Sequence, residues 1–69
     1  MKEIKISTDY IKLDQFLKLA NIVQTGGQAK IMISEESVRV NGAVALERGK
    51  KIRKDDMIEV EGFGSFKII

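Results

Sequence analysis

Polar and apolar residues alternate along Glu3-Ile4-Lys5-Ile6. That two-residue period predicts a short strand. The period then changes: Leu13, Phe16, Leu17 and Ala20 fall at i, i+3, i+4 and i+7. They form one apolar stripe of a helix, with Lys12, Gln15 and Lys18 largely on other faces. The helix is expected to stop between Asn21 and Gln24, where Ile22 and Val23 pack a connector. Thr25-Gly26-Gly27-Gln28 opens a second helix. A Thr followed three residues later by Gln fits a capping box, in which the Thr accepts from the Gln amide and the Gln side chain reaches back. Its apolar face is Ala29, Met32 and Ile33, and its end is expected near Glu35 or Glu36.

Val38-Arg39-Val40-Asn41-Gly42-Ala43-Val44 reads as a hairpin. Asn-Gly supplies two residues that tolerate positive φ, as a type I′ turn demands. Val38 and Val40 are expected on one face and Arg39 on the other. Ile52 is expected to begin a further short strand. Met57 to Val60 and Ser65 to Ile69 are the last two, separated by a bend around Gly62 and Gly64. The order predicts one α+β domain over residues 1–69: two short helices on a small, mostly antiparallel sheet with an Asn-Gly hairpin.

Composition narrows the chemistry. With 69 residues the chain buries one modest core. It has no cysteine and no histidine, so the commonest metal ligands and the commonest general base are missing. Asp14, Glu35, Glu36, Asp55 and Asp56 are the candidate acids, but no nucleophile–base pair is legible, so we expect no catalysis, no cofactor and no small-molecule substrate. The amino-terminal stretch lacks the apolar segment of a signal peptide, and no apolar run approaches the length of a membrane span. We expect a cytoplasmic protein. The net charge of +2 is mild, but Arg48, Lys50, Lys51, Arg53 and Lys54 put five cations into seven residues. Such a patch suits a phosphate backbone.

Lys12-Leu13-Asp14, Thr25 to Lys30, Ile33, Val38-Arg39-Val40-Asn41-Gly42 and Asp56-Met57-Ile58-Glu59-Val60 together resemble a known pattern. It is the S-four RNA-binding domain, named after ribosomal small-subunit protein four. The resemblance covers roughly residues 11 to 61. The added amino-terminal strand and the TGGQAK variant are similar to the small stand-alone bacterial proteins of the YaaA type. Lys12 stands where the family commonly has Arg, keeping the charge but losing the bidentate fork. Thr25, Gly26 and Gly27 stand where the family often has Ser-Arg and another basic residue. Glu36 stands where it usually has the helix-ending Gly, and Asp55 where it has Gly before the strand Asp.

The resemblance implies a non-catalytic protein that binds structured RNA, ribosomal RNA or an assembling ribosomal subunit, with ribosomal proteins as further partners. It implies phosphate contacts from Lys12, Lys30, Arg39, Arg48, Lys50, Lys51 and Arg53. Gly26, Gly27 and Gln28 would offer amides at a helix start, which suits an anion. Asn41 joins them as a residue able to reach a base or sugar, although the turn needs it first. Few aromatics are present, and none reads as a stacking platform, so recognition by shape and backbone is expected. Two other readings stand beside this one: a protein-interaction adaptor, and a small helix-turn-helix-like DNA-binding protein. The second helix, QAKIMISEES, has few base-reading side chains. A β-grasp sulfur carrier would end in Gly-Gly, whereas this chain ends Lys67-Ile68-Ile69.

Overall fold

The computed structural model describes residues 1–69 and has seven strands and two helices. Strand β1 is Lys2–Ile4, β2 is Ile11–Lys12, α1 is Leu13–Leu19, α2 is Gly26–Ser34 and β3 is Val38–Val40. They are followed by β4, Ala43–Val44; β5, Lys51–Ile52; β6, Met57–Val60; and β7, Gly64–Ile68. Five strands form one sheet in the order β1-β7-β6-β3-β4. Only the β1–β7 pair is parallel. The remaining two, β2 and β5, pair separately as an antiparallel ribbon. The fold is α+β with a mostly antiparallel sheet, as the hydrophobic pattern predicts.

The first strand is shorter than expected and ends at Ile4. Ile6 lies beyond it but is buried, and its amide donates to the Ile69 carbonyl at 3.0 Å. The fifth strand ends, not begins, at Ile52. The reason is local: the Arg53 amide donates to Asp56 Oδ2 at 2.8 Å, which turns the chain away from its partner strand.

Both helices stop by the same device. Asn21 follows α1 with φ 60°, and Glu36 follows α2 with φ 60°. The Asn21 and Ile22 amides donate back to Lys18 and Leu17, and the Glu36 and Ser37 amides to Ile33 and Met32. This is the Schellman pattern, in which a left-handed residue lets the last carbonyls find partners. Glu36 pays the strain that glycine would avoid there. Asp55, at φ 74°, is likewise left-handed.

The sheet's inner face carries Val38, Val40, Ile58, Val60, Phe66 and Ile68, which bury with Leu13, Phe16 and Leu17 of α1 and Ala29 and Ile33 of α2. The Phe16 and Phe66 rings meet edge to face, with centroids 5.6 Å apart. That geometry suits the ring quadrupoles. Asn41 and Gly42 have φ of 51° and 86°, as the type I′ turn requires. Arg39 is exposed between the two buried valines.

Candidate nucleic-acid interface

The basic segment is not a free loop. The amides of Leu13 and Asp14, at the start of α1, donate to the carbonyls of Lys50 and Arg48 at 2.8 and 3.0 Å. Helix starts leave such donors without intrahelical partners. Here the loop supplies the acceptors, and the helix in turn fixes the loop. Ile11 pairs with Ile52 and Lys12 with Lys51 in the adjoining ribbon. Ile52 is fully buried and Ile11 partly so, whereas Lys12 and Lys51 are exposed. Strand alternation therefore places Lys12 and Lys51 side by side on the wet face.

Tyr10 and Arg53 flank this pair. The Lys51 ammonium lies 4.8 Å from the Tyr10 ring centroid, and the Arg53 guanidinium 5.7 Å. Both distances suit a cation over an aromatic face. Sequence reasoning missed Tyr10 because its importance depends on which strand lies across from it. The only signal in the chain was its place two residues before Lys12.

Lys30 and Arg48 line a small groove of about 180 Å³ with Ile33, Ser34 and Leu46, between α2 and the loop after β4. Lys30 is three and four residues beyond Gly27 and Gly26, so all three share a helix face. The Thr25–Gln28 capping box forms as expected. Gln28 Oε1 accepts from the Gln24 and Thr25 amides at 2.7 and 3.2 Å, and Thr25 Oγ1 accepts from the Gln28 amide at 3.1 Å. This differs from the expectation of three open amides. The Gln28 amide is already engaged, so only those of Gly26 and Gly27 precede the first bonded donor.

Two further candidates stand apart. Asn41 Nδ2 donates to Asp56 Oδ1 at 3.0 Å, and Asn41 Oδ1 accepts from the Met57 amide at 2.9 Å. Its side chain clasps the hairpin turn to β6. Arg39 does not join the other cations. It lies across from Glu59 and lines a cleft of about 460 Å³ with Glu36, Glu59 and Glu61. The reason is the inward turn of Val38 and Val40, which sends Arg39 to the sheet's outer face.

No group of three or more carboxylates, histidines or cysteines is placed to hold a metal ion. No helix is long and apolar enough to cross a membrane.

The small α+β platform carries Lys12 and Lys51 on a short ribbon and Lys30 on α2. The chain belongs to the S4 domain family, whose pattern matches residues 4–69. The probable ribosome maturation protein RlbA of Bacillus subtilis (strain 168) is 48% identical to it over 66 residues, which is 96% of this chain and 93% of the relative.

Proposed function

We propose that this is a non-catalytic protein of the bacterial cytoplasm that docks on structured RNA, with ribosomal RNA or an assembling ribosomal subunit as its target. The observation that carries the reading is the attachment of the basic loop to the start of α1. Through Leu13 and Asp14 it fixes the backbone at Arg48 and Lys50, beside the Lys12–Lys51 pair. A pre-placed backbone leaves less conformational entropy to lose when phosphates are bound. Lys12, Arg48, Lys50, Lys51 and Arg53 form the centre of the proposed surface. Lys30 and the open amides of Gly26 and Gly27 extend it along α2. Membership of the S4 domain family and the ribosome-maturation name of the relative support the same reading. Arg39 and Asn41 fall outside this surface.

Fluorescence anisotropy with an RNA hairpin and a DNA duplex of matching sequence, over a salt series, tests the proposal. The expected result is preference for RNA, with log affinity falling by roughly 0.7 to 0.9 units per phosphate neutralised for each unit of log salt. Equal or tighter DNA binding would favour the DNA-reading alternative. Binding to neither at low salt would favour a protein partner.

A further inference from the structure

We propose that the outward face of the β2–β5 ribbon is a nucleotide site, in which the Tyr10 ring stacks on an unpaired base while Lys12 and Lys51 hold the adjoining phosphate. The inference rests on the RNA-binding reading and names its ligand more narrowly. The RNA is a helix that ends in, or is interrupted by, an unstacked nucleotide.

Four side chains make the site. Ile52 is buried and its partner Ile11 partly so, so the neighbouring residues Tyr10, Lys12, Lys51 and Arg53 fall on the other side. Lys12 and Lys51 are direct cross-strand partners. Like charges placed opposite one another weaken a strand pair. An anion between them removes that repulsion, and a phosphate is an anion of the right size and charge. Tyr10 stays 37% exposed although Lys51 and Arg53 both lie against its ring. Its backbone is held in place, because Thr8 Oγ1 donates to the Tyr10 carbonyl at 2.7 Å.

The surroundings give the site a direction. Thr8, Asp9 and Tyr10 line an open hollow beside the ring. The Asp9 carboxylate turns a phosphate away from this side and accepts readily from a base's exocyclic amine. The lysine pair lies on the other side of Tyr10 along the strand. A base on the hollow side and a phosphate on the lysine side satisfy both ends. A continuous duplex keeps its bases stacked inside and offers nothing for Tyr10, whereas an unstacked nucleotide offers a π-face to the ring.

Tyr10 is the only tyrosine and the chain has no tryptophan, so its ultraviolet emission reports this residue alone. The full-length protein is titrated with three RNA hairpins that share one stem: blunt-ended, with one unpaired 3′ nucleotide, and with an abasic residue at that position. Affinity is read by anisotropy and Tyr10 emission is corrected for RNA absorbance. The unpaired nucleotide is expected to quench Tyr10 and to tighten binding about tenfold over both other hairpins, within the usual worth of a base–aromatic stack. Tyr10→Phe keeps this discrimination and Tyr10→Leu removes it. Equal affinity for all three hairpins, with Tyr10 emission unchanged, overturns the nucleotide site and leaves the RNA-binding reading standing. Binding to none of them overturns both.

Discussion

The ribbon and the outer face of the five-stranded sheet both display cations, and they treat them in opposite ways. On the sheet, Arg39 lies across from Glu59, and Lys67 lies across from Glu3. Each positive residue has a negative neighbour on the next strand, an arrangement that steadies a sheet by a few tenths of a kcal/mol per pair and cancels its distant field. On the ribbon, Lys12 lies across from Lys51 and the nearby groups are Tyr10 and Arg53. No acidic residue lies across from either lysine in the ribbon. The difference lies in register, not composition: the same residue types make a neutral surface or a charged one according to what the partner strand places opposite.

Charge reversal tests this contrast with the largest expected effect. Lys50→Glu with Lys51→Glu is expected to weaken hairpin RNA binding about a hundredfold at low salt. The salt dependence should flatten by roughly two phosphates' worth. Both residues are exposed, so thermal unfolding should change little. Arg39→Glu should leave affinity within about twofold. A comparable loss from Arg39→Glu in the same anisotropy assay would break the distinction between the two faces.

A smaller effect comes from the clasp that joins the two regions. Asp56 accepts from Asn41 Nδ2 with one oxygen and from the Arg53 amide with the other. It thereby ties the hairpin turn of the sheet to the end of the ribbon. Asp56→Ala removes two exposed hydrogen bonds, whose donors water can then satisfy, and is expected to cost about 1 kcal/mol, measurable by urea unfolding. A variant as stable as the parent would mean that the ribbon is held by its helix contacts alone.

What was legible in the chain was local. The Thr25–Gln28 box, the Asn41-Gly42 turn and the alternation at Val38-Arg39-Val40 each depend on residues within a few positions of one another. The left-handed conformations of Glu36 and Asp55 were legible by comparison with the glycines the family has there. What was hidden was pairing. Strands of two residues, Ile11–Lys12 and Lys51–Ile52, carry no period of their own, and some forty positions separate them. Without that pairing Lys12 and Lys51 cannot be seen to meet, and Tyr10 is one aromatic among four. The parallel β1–β7 contact was hidden for the same reason. Phe66 turns inward through the register of β7, whereas Phe63, in the turn between Gly62 and Gly64, stays 45% exposed. The isolation of Arg39 follows from Glu59, twenty residues later in the chain.

The sheet side also offers a change in the stabilising direction. Glu36 holds φ 60° just beyond α2, with its acidic side chain at the negative end of the helix. Glu36→Gly removes both penalties and is expected to add about 1 kcal/mol, raising the melting temperature by some 4–8 °C in a domain of this size. RNA affinity should stay the same, because Glu36 lines the Arg39 cleft and not the ribbon. Altered affinity would join the two faces in one interface.

The smallest effect is expected at the start of α2, where the proposed surface has its outer limit. Gly27 does not have a left-handed φ, and a Cβ there would meet only Thr25 Oγ1 at 3.9 Å, an ordinary contact. Neither backbone strain nor packing requires the glycine. Gly27→Ala should therefore stabilise the helix by about 0.5 kcal/mol through lost freedom in the unfolded chain. Its added methyl would also stand beside the two amides that the capping box leaves open. If RNA phosphates approach those amides closely, affinity should fall about threefold while circular dichroism shows an intact helix. If affinity holds, α2 contributes only Lys30, and the cationic surface ends at the groove that Lys30 shares with Arg48.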